Sequence, residues 1–466
     1  MIVYTFLVTL TVSLANSKNP GLKARITQAG LTYADQVAID KLGKSAVGQK
    51  IPDQTGRSGD VTYEISNIII QGFTTPSSSI VVGADGLSWN ANGLGLGIRG
   101  HFHYKYHGII PISDICVSGV SFSVGVSLGA DPTGRPTIAS TGCRCNIGSV
   151  SVDFHGGTAW IYNLFKSFVE DALRDQLNGQ LCTIINNAVN TDASRALAKL
   201  QVTVDIAKVF LLDYRFLGRP AFNPQSFLET YHKGEVFWTS SVSEAPFDPL
   251  PMPAINSTQK MMYIWVSDYV FNTLTYEAQT HGVLVYNLTQ KDLPDGAKDF
   301  LNTTCKGSPC IGSIIPQIGK RFPNNQVQMF MSSDFSPMMM ASQGKINVLC
   351  GGTIIMATTQ GNTFLLSLNA TMHTSVGIDV RNEKIYASVG DMSIKLHVMK
   401  SNVGELNDII LDTIANFALV KFVEPQLNKL GAKGIPLPVT ENVHFVNTEI
   451  RVDQDTLMIA TDLKYE

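Results

Sequence analysis

The sequence predicts an α+β protein built twice, as two halves of similar design that each pair a curved antiparallel sheet with two helices. Three observations carry this expectation. The first is the stretch from Ala159 to Val189, where Ile161, Leu164, Phe168, Leu173, Leu177, Leu181 and Ile185 recur at helical spacing and draw one wide apolar stripe. At 1.5 Å per residue that helix is roughly 45 Å long and needs an equally long apolar surface, or an apolar ligand, to lie against. The second is a set of long period-two segments on either side of this helix, joined by short turns, as in an antiparallel meander. The third is that the order of strands, helix, long strands, longer helix and final strands recurs after a crossing marked by Pro246, Pro249, Pro251 and Pro253, although literal identity between the halves is low.

Size and charge agree with two domains and exclude some functions. A chain of 466 residues exceeds one ordinary core. Residues 1–220 carry 18 Lys/Arg against 15 Asp/Glu, and residues 221–466 carry 17 against 23, so neither half has the clustered positive charge of a nucleic-acid binder. The expected division is a signal peptide over 1–17, a first barrel over 18–240, a linker over 241–260 and a second barrel over 261–466.

The opening MIVYTFLVTLTVSLANS has an apolar core and small residues at Ser13 and Ala15, as a secretory signal does, though no basic residue precedes the core. A helix follows on Leu31, Ala34, Ala38 and Leu42, then strands over VTYEISNIIIQGF, SSSIVVG and GLSWNANGLGLGIRG. RGHFHYKYH alternates strictly, with Arg99, His101, His103, Lys105 and His107 on one face and Phe102, Tyr104 and Tyr106 on the other. A long hairpin turns at ADPTGR, between strands over Ser113 to Gly129 and Arg135 to Val152. In the second half MMYIWVSDYVFNTLTYEAQT reads as strand, IGSIIPQIGKRF as a short helix, and Glu405 to Leu430 as the second long helix.

The chemistry-bearing patterns are few. Gly125-Val-Ser127-Leu-Gly129 has the form of a nucleophile elbow, but it sits within an alternating strand that leads to a hairpin turn, so no hydrolase is expected. No carboxylate pair, nucleotide fingerprint or paired-cysteine zinc spacing is present, and neither an enzyme nor a metal protein is expected. The histidine strand is open to three readings: a solvated edge, a contact with an anionic surface, or a metal site. Seven cysteines in a secreted chain leave at least one unpaired. Cys182 in the helix, with Cys143 and Cys145 in the strand before it, leads us to expect a helix-to-sheet disulfide. Cys116 with Cys145 is a second candidate pair, and Cys310 with Cys350 a third, since a Cys305 to Cys310 bond closes only a short loop. Asn256, Asn287, Asn302 and Asn369 head glycosylation sequons.

NPGLKARITQAGLTYA at the mature start, IPD at 51–53, GRPTI…C…NIGSVSV over 134–152, YIWVSDYVFNT at 263–273 and KGIPLP at 433–438 together resemble the bactericidal/permeability-increasing and lipopolysaccharide-binding protein family, over Asn19 to Tyr465. The resemblance implies an elongated boomerang of two barrels joined by a central β-sheet, with about one phospholipid per barrel and the long helix lining each pocket. It places the disulfide on Cys143 and Cys182, with no counterpart for Cys145. Expected pocket contacts are Leu164, Phe168, Leu173 and Leu177 in one half and Leu406, Ile410, Phe417 and Leu427 in the other. The implied function is a secreted or granule-stored monomer of innate immunity. It would bind phospholipid, lipid A and the Gram-negative outer surface through a basic tip, for which this chain offers Lys41, Lys44, Lys50, Arg99, His101, His103, Lys105 and His107. Histidine changes charge between pH 5 and 8, so such a tip gains charge in mild acid. The alternative is a general extracellular phospholipid carrier. The sterol-ester carriers of the wider group end in an extra amphipathic helix, whereas this sequence ends on a strand.

Overall fold

The computed structural model describes residues 19–466 apart from 59–60, 105–106, 155–165, 255–256, 294, 308, 343 and 438–441, so the signal-like 1–17 stretch lies outside the described residues. Its centre is a six-stranded antiparallel sheet to which each half contributes three strands. These are β1 (Leu22–Thr27), β12 (Ala221–Asn223) and β13 (Phe227–His232) from the first half, and β15 (Met262–Ser267), β23 (Val443–Asp453) and β24 (Thr456–Tyr465) from the second. β1 and β15 pair at the middle, Leu22 opposite Val266 and Ile26 opposite Met262.

The two halves then repeat. β1 ends at Thr27, whose hydroxyl accepts from Gly30 N–H and caps α1 (Gln28–Ala46); β15 ends at Ser267, whose hydroxyl accepts from Tyr269 N–H and caps α4 (Asp268–Thr280). YVFNTLTYEAQT is thus helix, not the strand its β-branched and aromatic residues suggest. The side chains that bury, Val270, Thr273 and Glu277, fall at helical spacing once the cap is recognised.

The first half continues into a curved eight-stranded sheet of β2 (Lys50–Ile51), β3 (Gln54–Ser58), β4 (Val61–Thr74), β5 (Ser77–Val82), β6 (Leu87–Tyr104), β7 (His107–Ala130), β8 (Pro136–Asn146) and β9 (Ser149–Phe154). RGHFHYKYH is not a separate strand. It is the end of β6 and the start of β7, with its turn outside the described residues. The ADPTGR turn joins β7 to β8, and Gly134 holds φ 79°, which a side chain resists. The strand expected over Arg135 to Val152 divides between β8 and β9, which both pair with β7.

The long helix is seen as α2 (Lys166–Asn187), which runs without a break through Gly179, then a π segment (Ala188–Ala193) and α3 (Ser194–Ala198). Val169, Leu173, Leu177, Leu181 and Ile185 bury against the sheet. A small sheet of β10 (Thr203–Ile206), β11 (Phe210–Asp213) and β14 (Glu235–Trp238) leads to the proline-rich segment. That segment crosses one face of the central sheet, where Asn19, Lys23 and Arg25 donate to the carbonyls of Pro249, Pro253 and Ser257. Beneath it Arg25 makes two bonds to Glu229 Oε1 at 2.9 and 2.7 Å, so the buried charge is paired.

The second half has the curved sheet β16 (Val285–Leu288), β17 (Val327–Ser333), β18 (Met338–Ser342), β19 (Lys345–Thr358), β20 (Phe364–Arg381), β21 (Lys384–Ser401) and β22 (Ile435–Pro436), with short helices α5 (Ile311–Ile314) and α6 (Pro316–Arg321) between β16 and β17. Its long helix is α7 (Asp408–Ala418), a second π segment (Leu419–Val423) and α8 (Glu424–Gly431). Among the described residues no helix is long and apolar enough to cross a membrane.

Disulfides join Cys143 to Cys182 and Cys305 to Cys310. The latter replaces the expected Cys310 to Cys350 bond: Cys310 stands at the start of α5, whereas Cys350 lies within β19 opposite Met372. Cys116 and Cys145 are not bonded, because Cys145 lies opposite Phe122, six residues along β7 from Cys116. Cys143, Cys145 and Cys182 form a sulfur cluster, but two of its members are held in the disulfide, and burial pushes the Cys145 thiol up to about 11, away from the metal-binding thiolate.

One strained carboxylate gives a stability test. Burial, and then the charge of Asp455, push Asp268 up to about 6 from an ordinary 3.8. A raised folded pKa contributes stability that is complete below the unfolded pKa and is lost as pH rises through about 6. Asp268→Asn is therefore expected to stabilise the protein by about 1–2 kcal/mol at neutral pH, after discounting for partial exposure, and by close to nothing near pH 3.5. Urea titrations at both pH values measure this, and an equal effect at both would refute the assignment.

Candidate functional site: an apolar cavity with a lysine rim

Two helices that face each other with small side chains leave a space. Gly30, Ala34 and Ala38 lie four apart on α1, and Ala188, Ala193 and Ala196 lie on the π segment and α3. Between them, roofed by Ile80, Leu87, Trp89, Val126 and Ile138 of the curved sheet, is a cavity of about 980 Å³. A second space of about 460 Å³ adjoins it and runs down to the central sheet at Ala24, Ile26, Met262 and Ile264. Ala34, Leu87, Ile138, Ala193 and Ala196 line both and form a collar between them.

The walls are apolar and the rim is polar. Lys41, Lys44, Ser45, Gln49, Asn187, Asp192, Lys464 and Tyr465 surround the opening. Lys41 donates to the Tyr465 hydroxyl and stands 4.2 Å above its ring, which draws that phenol below its usual range. Tyr465 N–H donates to the Tyr33 hydroxyl at 2.7 Å, so the end of β24 is fastened across α1. Lys44 is paired with Asp40 and Lys464 with Glu466. Inside, Asp35 accepts from Trp89 Nε1 at 2.8 Å and from Ser78 at 2.7 Å, which fixes α1 to the sheet. At the far end His232 is buried, bonded to the Tyr214 carbonyl and the Thr230 hydroxyl, and pushed down to about 4, so it is neutral.

The second half has the same plan with larger side chains at the matching helix positions. Val270 and Leu274 stand where Gly30 and Ala34 stand, 240 residues earlier in the matching strand and helix that begin at Leu22 and Met262. The apolar space beneath α4, lined by Val270, Phe271, Leu274, Ile435 and Leu437, is about 20 Å³.

The expected pocket residues are therefore mostly elsewhere. Leu173 and Leu177 are core, 0% and 4% exposed, and Leu177 touches only a space of about 20 Å³. Leu406 and Leu427 pack partly against the second core, while Phe168, Ile410 and Phe417 stand exposed. Leu164 lies outside the described residues. The lining has a signal in the sequence, the alanine spacing of AVNTDASRALA, which sets small side chains where a packed helix carries large apolar ones.

The basic set divides in two. Lys41 and Lys44 belong to the cavity rim. Lys50 lies opposite Ile69, which lies opposite Arg99, so these three form a row on the outer face of the curved sheet. His101 and His103 continue that face opposite Ser66 and Glu64, and His103 Nδ1 has no hydrogen-bond partner among the described residues. Lys105 lies outside the described residues, and of His107 only its place at the start of β7 is described. Ser127 lies within β7 and donates to the Ala139 carbonyl at 3.2 Å, so no strand-to-helix elbow forms there. Asn287 and Asn369 are exposed, Asn302 is half-buried with its amide bonded to Asp299, and Asn256 is outside the described residues.

Comparison with known proteins agrees with this architecture. The chain is similar to the bactericidal permeability-increasing protein of Sebastes schlegelii, 30% identical over 98% of this chain and 97% of that protein. It is 26% identical to the lipopolysaccharide-binding protein of Homo sapiens, over 96% of this chain and 94% of the relative. A crystal structure of lipopolysaccharide binding protein matches with a TM-score of 0.69 and 26% identity, covering 96% of this chain and 99% of that one. Residues 30–192 match the N-terminal domain of the LBP / BPI / CETP family and residues 204–465 match its C-terminal domain, and the chain belongs to that family.

Proposed function

We propose that this protein is a secreted, monomeric lipid-binding protein that holds a phospholipid in the first-half cavity and binds lipopolysaccharide of Gram-negative bacteria at the outer face of the same half. The family consists of non-catalytic lipid-binding and lipid-transfer proteins. The observation that carries the reading is the alanine-lined cavity opening at a lysine rim, which accepts acyl chains inside and a phosphate at the mouth. Each buried methylene contributes about 0.8 kcal/mol, so a two-chain lipid is a strong ligand even after its ordering cost. The human relative's name supports lipopolysaccharide as the bacterial ligand, and the Sebastes schlegelii relative's name supports an action on bacteria. The row Lys50, Ile69, Arg99 sets cations beside an apolar side chain, as lipid A with phosphates above acyl chains requires. The occupant proposed here is the one in the first-half cavity, whose volume and rim suit it. Asn287 and Asn369 are the sequons most open to glycan.

The general-carrier reading rests on a different observation: the outer face is sparse in charge, and Glu64 stands opposite His103. Titration of lipopolysaccharide and neutral phosphatidylcholine vesicles against wild type and a His101→Ala, His103→Ala, His107→Ala protein separates the two. We expect wild type to prefer lipopolysaccharide and the triple variant to bind it less tightly. Equal affinity for both lipids would favour the carrier, and unchanged lipopolysaccharide affinity in the triple variant would remove the histidines from the site.

A further inference from the structure

At the deep end of the cavity one side chain stands between two spaces. Tyr214 lines the 460 Å³ space on its first-half side and the 20 Å³ apolar space beneath α4 on the other, and no other residue lines both. It is 3% exposed, and its hydroxyl donates to the Pro436 carbonyl at 2.7 Å, in the segment that follows the second long helix. Its own carbonyl accepts from His232, and its backbone N–H donates to the Val202 carbonyl, so both ends of the residue are held. On each side of it the lining belongs to the same face of the central sheet: Ala24, Ile26, Met262 and Ile264 toward the cavity, Leu22 and Val266 toward α4. Along β1 and β15 that face is apolar and continuous past Tyr214, with Thr230 and His232 of β13 beside it.

We propose that Tyr214 is the end wall of the lipid cavity and sets the longest acyl chain the protein accepts, an inference that rests on the lipid-cargo reading above. A lipid whose phosphate sits at the Lys41 and Tyr465 rim sends its chains through the Ala34–Ala193 collar toward the central sheet, and the first barrier on that line is the Tyr214 ring. Chains that stop short of the ring gain affinity with each methylene they bury. Longer chains must fold back or displace a ring whose hydroxyl is bonded to Pro436 and whose backbone is bonded on both sides. Without the ring, its own volume and the 20 Å³ space against Leu22 and Val266 join the cavity, room for several further methylenes.

The test is binding of a series of saturated phosphatidylcholines of increasing acyl length to wild type, Tyr214→Phe, Tyr214→Leu and Tyr214→Ala. For wild type, affinity should rise by about fourfold per methylene and then level off. Tyr214→Phe keeps the ring and should level off at the same length. Tyr214→Ala should keep rising through several further methylenes, and Tyr214→Leu, the variant to use if the alanine protein does not fold, should level off between them. A plateau shared by wild type and the leucine or alanine variant would overturn the wall alone. Wild type that binds no phosphatidylcholine of any length would overturn the cargo reading and this inference with it.

Discussion

Ala34→Trp, made together with Ala193→Trp, is expected to lower the phospholipid recovered with the purified protein from about one per chain to under a tenth of that. The two positions face each other across the collar, Ala34 from α1 and Ala193 from the end of the first π segment. Two indoles there fill the passage between the outer and inner spaces. An acyl chain confined to the outer space forfeits the burial of the methylenes that would have passed the collar. At about 0.8 kcal/mol each, three of them already account for a loss of more than tenfold. Overpacking ordinarily costs 1–3 kcal/mol, but here the added atoms enter space that no side chain occupies, so the fold should survive. Gln36→Trp, exposed on the same helix and outside the cavity lining, should retain its lipid. Organic extraction and mass spectrometry measure the yield, and a doubly substituted protein with native thermal stability and a full lipid load would refute the site.

The repeat itself was legible in the sequence because its signals are periodic: the stripe of α2, the alternation of β6, β7, β20 and β21, and a late long helix in each half. The failures have physical reasons. In α4, Val270, Phe271, Thr273, Thr275 and Tyr276 favour strand locally, and the burial of one face decided for helix. The first-half cavity was not legible because a large apolar residue on a helix is the one that packs, whereas a cavity is made by what is absent, and Gly30, Ala34 and Ala193 leave only a lack of volume in the sequence. The pair Cys116 with Cys145 failed on register, since a shift of a few positions along β7 parts them and composition does not show it, and the pair Cys310 with Cys350 failed because Cys310 closes the short loop to Cys305 instead.

Asn416→Leu is expected to destabilise the second half by about 2–4 kcal/mol, although it exchanges one polar side chain for an apolar one of similar size. β21 pairs with β22 only at Lys384 and Ile385, so much of its outer edge has no strand beside it. The long helix supplies the missing partners. Asp408 accepts from Val398 N–H and Asp412 from Leu396 N–H. Asn416 accepts from Ile394 N–H and donates to Ile394 C=O, each at 2.9 Å. Four helical residues rise about 6.0 Å and two strand residues about 6.6 Å, which is why side chains at i, i+4 and i+8 meet alternate residues of a strand. Asn428 then serves Val389 in the same two-way manner. Twelve helical residues would advance about 18 Å where five strand residues advance about 16.5 Å, and the π segment between Asn416 and Asn428 takes up the surplus residue as a bulge. In the first half the corresponding ladder is Glu170 on Val152, the Cys143–Cys182 disulfide and Asn190 on Ser140, so a covalent rung stands where the second half uses carboxylates and amides. Leucine at 416 leaves both polar groups of Ile394 without a partner against an apolar core, at about 1–3 kcal/mol for each group, partly offset by its own burial. Thr413→Leu, on the exposed side of the same helix, should change stability by no more than about 0.5 kcal/mol. Urea unfolding followed by far-ultraviolet circular dichroism reads both, and equal midpoints for the two variants would show that water, not Asn416, satisfies that edge.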